Sequence, residues 1–386
     1  MPPKMGNDRM PEFRSRFLNG GALSRRDVLR FGAQATMFAT IASQVDFTKP
    51  AYAGDTKLTG PLNVLAWAGY DDPDLMAGFT KLTGVELNVK EAESNGAQLS
   101  LVQAGGTKFD VINPDAVWTS KFAAAGLTLP IDTSKLSSLS ETIPMFKGRP
   151  ETLVDGQVYS IPTRFGVNGF VYWPDKISAE AAADAELAWD ASLKERVEII
   201  DWPELYLWMA GKWIGLAKPE EATGDDLKKI LDKMMAFRPN MRALQADMGT
   251  VKTDLANREA WMVWGSSSDN VRTTARLNGA NVDLAIPKQG GAMWMETLQI
   301  VRGTEHLASA LAYIDYMTSA KAMKQMAWGA DKFAVTNSKV KDLLTAEQVK
   351  ALGLDMMEEW VSKCSMSLAP VDENAWADAW QSFKMG

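Results

Sequence analysis

The sequence predicts an α/β fold of the doubly wound type, with a parallel sheet carrying helices on its faces. Between residues 62 and 125, strand and helix signals alternate in the order βαβαβ. That order needs crossover connections and hence parallel pairing. The chain has 386 residues, and the 333 that remain after a 53-residue leader suffice for two domains.

The first strand spans 62–67, apolar and bounded by Pro61 and Gly69. Asp72 is placed to cap a helix with Pro73 at its first position, and Thr83-Gly84 stops it. The alternation over 85–90 reads as a second strand, 98–104 as a helix, 109–113 as a third strand and 121–125 as a helix. Strand-like stretches follow at 159–162, 169–172 and 197–200, and helices at 205–214, 224–237 and 241–247. The remaining elements are strands at 260–264, 282–286 and 297–301 and a helix over 306–318. Several strands end on an aromatic or acidic residue, and the carboxyl edge of an open parallel sheet is where ligands bind.

The leader has a paired arginine, Arg25-Arg26, then a sparsely charged run over 31–43, then Ala51-Tyr52-Ala53. A positive segment, a short apolar segment and a small-x-small site read as an export signal cleaved after Ala53, with a twin-arginine address. The apolar run is shorter than the roughly 20 residues needed to span a bilayer. No later stretch is long enough either, so the exported protein is expected to be soluble in the periplasm.

The net charge is −7, from 41 Lys+Arg against 48 Asp+Glu. The leader holds four more basic than acidic residues, which leaves −11 for the exported chain. An acidic body argues against nucleic acid, whose phosphates need Lys and Arg. A single cysteine, Cys364, allows no internal disulfide. With one histidine, His306, zinc sites of the His/Cys type and Ser-His-Asp or Cys-His catalysis have too few members. No metal, cofactor or catalytic residue is expected.

The recurring unit is an aromatic beside an acid at a strand end. Trp67 precedes Tyr70, Asp71 and Asp72; Asp201-Trp202 precedes Glu204; Trp264 precedes Asp269; Trp294 precedes Glu296. Ring faces attract cations and carboxylates bind ammonium groups. Such pairs converging on a cleft would suit an elongated, amine-bearing ligand. The same residue types also fit a sugar-binding protein, or a periplasmic hydrolase with two carboxylates and stacking tryptophans. Phosphate-cradling glycine loops are absent.

The order of motifs resembles that of the periplasmic solute-binding proteins of ABC importers, specifically the spermidine/putrescine-binding group. The matching pieces are Leu62-Asn-Val-Leu-Ala-Trp67-Ala-Gly-Tyr70, Gln103-Ala-Gly-Gly106-Thr-Lys-Phe-Asp110-Val-Ile-Asn-Pro114, Tyr159-Ser-Ile-Pro162-Thr-Arg-Phe-Gly166, Ile286-Pro287-Lys-Gln-Gly290 and Trp294-Met-Glu296-Thr-Leu-Gln-Ile. The resemblance implies two α/β lobes of the type II periplasmic binding protein kind with a ligand cleft between them. Lobe 1 would take 54–166 plus 295–339, and lobe 2 would take 167–294 plus 340–386. It implies no enzymatic activity, a monomer, a polyamine as ligand and a membrane permease as partner. Carried over by position, the ligand residues are Trp67, Tyr70, Asp201, Glu204, Trp264, Trp294 and Glu296, the last in place of the usual Asp. The aromatic expected after the third strand falls on Val117, with Trp118 next to it. The expected tyrosine before the Thr-Asn element falls on Phe333. Asp201 and Glu204 would hold one amine and Glu296 the other.

Overall fold

The structure, a computed structural model, describes residues 57–106 and 108–386. The twin-arginine segment and the Ala53 cleavage site lie outside the described residues.

The first sheet begins with β1 (Leu62–Ala66), β2 (Leu87–Glu91) and β3 (Val111–Ile112), with β1 in the middle and parallel to both neighbours. The helix between β1 and β2, Pro73–Thr83, forms where its end signals place it. The Asp72 carboxylate accepts from the backbone N–H groups of Asp74 and Leu75, Pro73 fills the first turn, and Gly84 closes the helix at φ 74°. Leu75 and Phe79 are its buried face.

Short strands β4 (Thr128–Leu129), β5 (Leu153–Val154) and β6 (Gln157–Val158) lead to β7 (Ile161–Asn168). β7 is eight residues long and wholly buried. It covers the stretch 163–168 that the sequence leaves between two strand signals. Past Gly169 the chain enters β8 (Phe170–Tyr172), which belongs to a different sheet.

The second sheet has the order β10-β9-β11-β8-β12, with β9 (Val197–Ile200), β10 (Met241–Gln245), β11 (Met262–Trp264) and β12 (Asp283–Ala285). β9, β10 and β11 are mutually parallel and β8 and β12 complete the sheet antiparallel. The sequence expectation of a helix over 241–247 is corrected here: Met241–Gln245 is an edge strand paired to β9. Helix Gly224–Phe237 has the expected bounds.

The chain returns to the first sheet in β13 (Gly291–Val301), which pairs with β7, β3 and β4 and also with β15 (Cys364–Met366). β14 (Ala334–Val335) borders β7. The C-terminal helix Glu373–Met385 packs on helices Pro203–Trp213 and Gly224–Phe237 of the second sheet. One apolar core lies against β1, β2 and β3 of the first sheet, and a larger one fills the second sheet and extends to Phe165, Val167, Met293 and Met295 of β7 and β13. Among the described residues, no helix is long and apolar enough to cross a membrane.

Candidate functional site

The site is built around the β7–β13 pair. The pairing register slips between Met295 and Thr297, so Glu296 sits at a bulge. A bulge re-aims the side chain it carries. Here it turns the Glu296 carboxylate toward Arg164 of β7. Arg164 Nε donates to Glu296 Oε2 at 2.8 Å and Nη2 donates to Oε1 at 3.0 Å, a bidentate pair. The Tyr70 hydroxyl, from the loop after β1, donates to Oε2 at 2.9 Å and lies 2.6 Å from Thr163 Oγ1. Arg164 Nη2 also donates to the Ala68 carbonyl at 3.0 Å.

The guanidinium carbon is 4.6 Å from the Tyr70 ring centre and 4.6 Å from that of Phe333, so the cation has an aromatic ring on each side. Burial disfavours the Arg164 charge, but Glu296 first, with Tyr70 and Asp331, more than offsets this and raises its pKa. Phe333 meets Trp294 edge to face at 5.6 Å. Trp294 lies on Gly166, where a Cβ would come within 2.6 Å of the indole and 2.5 Å of Asp269 Oδ1. That double approach is why the strand carries glycine at this point. Asp269, in the first turn of helix Ser268–Leu277, accepts from Val167 N–H at 3.1 Å, and burial pushes its pKa up to about 7. Lys252 faces both Asp269 and Asp331, and burial lowers its pKa.

A second acidic locus joins the two sheets. Asp115 follows β3, and its backbone bridges to Glu296. Asn95 closes a reciprocal pair with it: Asn95 Nδ2 donates to Asp115 Oδ2 at 2.8 Å, and Asp115 N–H donates to Asn95 Oδ1 at 2.8 Å. Glu204, in the first turn of helix Pro203–Trp213 that follows β9, is near enough to act on Asp115. Burial first, with the Glu296 and Glu204 charges, pushes the Asp115 carboxyl up to about 7, against the hydrogen bond from Asn95 and the charge of Arg164. Burial also raises Glu204, against the pull of Lys121. Lys121 itself is paired with Glu373 and lies 4.2 Å over the Trp118 ring. Among the described residues, neither Asp115 nor Glu204 has an ion-pair partner.

The structure therefore brings together Tyr70, Glu296, Trp294 and Phe333 around Arg164, with Glu204 and Trp118 near Asp115. Trp67 lies partly buried at the end of β1, its backbone N–H on Asn113 Oδ1. Two expected residues are placed elsewhere. Trp264 is wholly buried, stacked on Trp213 at 5.0 Å and edged by Tyr206, Phe237 and Trp189, and so fills the second sheet's core. Asp201 faces the C-terminal helix, accepting from Trp380 Nε1 at 2.6 Å and Lys384 Nζ at 3.3 Å. Sequence reasoning passed over Asp115 and gave Arg164 no role. The available signal was an acid at the carboxyl end of a strand, in Asn113-Pro114-Asp115.

Comparison with known proteins agrees with this architecture. Residues 74–385 match the family model described as bacterial extracellular solute-binding protein. The putrescine-binding periplasmic protein SpuD of Pseudomonas aeruginosa is 26% identical over 311 residues, covering 77% of this chain and 82% of the relative. The spermidine/putrescine-binding periplasmic protein of Escherichia coli is 28% identical over 275 residues, 68% of this chain and 73% of the relative. The crystal structure of the spermidine/putrescine substrate-binding protein PotD of Streptococcus pneumoniae superposes with a TM-score of 0.70 at 23% identity, over 85% of this chain and 99% of that one. The fold is that of the periplasmic binding proteins. With its family model spanning both sheets, the chain belongs to the bacterial extracellular solute-binding proteins, a family that captures solutes and is not one of enzymes.

Proposed function

We propose that the protein is the periplasmic receptor of an ABC importer and captures a small amine-bearing cation, the solute class named for its putrescine- and spermidine-binding relatives. One observation carries this reading: Asp115 after β3 and Glu204 after β9 are near enough to act on each other, both carboxyls are raised by burial, and neither is in an ion pair among the described residues, although Arg164 acts on the first and Lys121 on the second. Two such acids repel until a positive charge enters between them. An ammonium group supplies that charge and three N–H donors. The two lobes, 54–166 plus 295–339 and 167–294 plus 340–386, would close on the solute. The changes of sheet at Gly169 and between β12 and β13 support that division. Export would follow the twin-arginine leader with cleavage after Ala53, and a monomer would deliver the solute to its permease.

Calorimetric titration with putrescine, spermidine, choline and a disaccharide tests the reading. Saturable binding of an amine is expected, weakened at least tenfold by Glu204→Gln and by high salt. Binding of the disaccharide with no response to any amine would overturn it.

A further inference from the structure

The aromatic and acidic pocket expected for an amine is already filled by the chain itself. Tyr70, Phe333 and Glu296 surround the Arg164 guanidinium as they would a ligand cation: rings at 4.6 Å on both sides and a bidentate carboxylate. Glu296 accepts three hydrogen bonds from Arg164 and Tyr70, and its charge is matched by Arg164. A second ammonium brought here would meet the like charge of Arg164 and a Glu296 already paired; the other acids beside it are Asp269, which accepts from Val167 N–H, and Asp331, which acts on both Arg164 and Lys252. Three donors here are without a hydrogen-bond acceptor among the described residues. Arg164 Nη1 makes no hydrogen bond within the described residues, and the indole N–H groups of Trp67 and Trp294 are buried without an acceptor. A polyamine, whose ammonium groups only donate, satisfies none of these. An oxygen acceptor satisfies them.

We propose that Arg164 is the specificity-determining residue of this chain: by occupying the Tyr70–Phe333–Glu296 pocket it restricts the cleft to solutes with one cationic head and an oxygen-bearing tail. The head lies at Asp115 and Glu204, so the inference rests on the amine reading above. The tail, a hydroxyl or a carboxylate, points toward Arg164 and the two indoles. Glu296 is a positioning residue that holds the guanidinium in place.

Four ligands of matched length decide the matter: putrescine, 4-amino-1-butanol, 4-aminobutyrate and n-butylamine, titrated into the protein and into Arg164→Met. For the unmodified protein, aminobutanol or aminobutyrate is expected to bind at least tenfold more tightly than putrescine, and more tightly than butylamine. In Arg164→Met, Glu296 is released and putrescine is expected to gain at least tenfold while the oxygen-tailed ligands lose. If that variant does not fold, Arg164→Gln removes the charge and keeps an N–H for Glu296, and the same reversal is expected. Putrescine binding the unmodified protein as tightly as the oxygen-tailed amines would overturn the role of Arg164 and leave the amine reading standing. Silence toward all four ligands would overturn both.

Discussion

Inside the protein, Arg164 and Tyr70 supply Glu296 with three donors and a counter-charge. The pair is almost fully buried, 3% and 8% exposed at the two side chains. Removing one member of such a pair strands the other, at a cost of about 3–5 kcal/mol. Glu296→Gln is therefore expected to lower stability by about that amount, measured by denaturant or thermal unfolding, while weakening amine binding less than Glu204→Gln does. Unchanged stability would show that Arg164 finds another partner. At this scale the sequence identifies the right kinds of residue but not their assignments. Tyr70, Trp294, Glu296 and Phe333 do gather at one place, because each lies at a strand end or on a strand of the first sheet. That Glu296 would meet Arg164 and not solvent depends on a one-residue bulge between β7 and β13, and pattern reading has no signal for it. Trp264 shows the complementary limit. A tryptophan ending a strand can face a cleft or a core, and here Trp213, Tyr206 and Phe237 already line the side it occupies.

Elements with local punctuation are legible in advance. Asp72-Pro73 and Gly84 delimit one helix, and Gly224–Phe237 matches its expected bounds because its buried positions recur at helical spacing. β7 is less legible because a wholly buried strand has no alternation to read, and its polar members Arg164 and Asn168 find partners inside the protein, Glu296 and the Ser267 N–H. Met241–Gln245 shows tertiary structure overriding propensity. Met, Arg, Ala, Leu and Gln are all good helix formers. The segment is nevertheless held as a strand by its ladder to β9 and by Arg242, which reaches Glu198, Asp254 and Glu259 together. Glu198 lies fully buried on β9, and burial pushes its pKa up to about 7 even with Arg242 present. Arg242→Met is expected to destabilise the protein by about 3 kcal/mol or more above pH 7, where Glu198 would be charged and unpaired. The loss should shrink below that pH as the carboxyl takes up a proton. Unfolding curves at pH 5.5 and 8 check this. An equal loss at both would assign the role of Arg242 to packing and not to charge.

Across the whole molecule, the raised carboxyls couple ligand capture to protons. Asp115 and Asp269 both titrate near 7 in the folded protein, while an unfolded Asp titrates near 3.9. Between those values the folded state binds more protons than the unfolded one. The unliganded protein should therefore lose stability as pH rises from about 4 through 7. An ammonium at Asp115 and Glu204 favours the ionised form and lowers the Asp115 pKa, so it expels a proton on binding. Amine affinity is thus expected to rise with pH up to about 7, by at most about tenfold per unit for one displaced proton. The two slopes oppose each other: the empty receptor tightens in acid while the loaded one is favoured toward neutrality. Calorimetry near pH 6.5 in two buffers of different ionisation enthalpy reads the released proton directly. Asp115→Asn should reduce the release and weaken the pH dependence of affinity, Glu204 keeping its own share, whereas Asp269→Asn should leave the release in place. Proton-neutral binding by the unmodified protein would mean that the ammonium rests on groups other than Asp115 and Glu204.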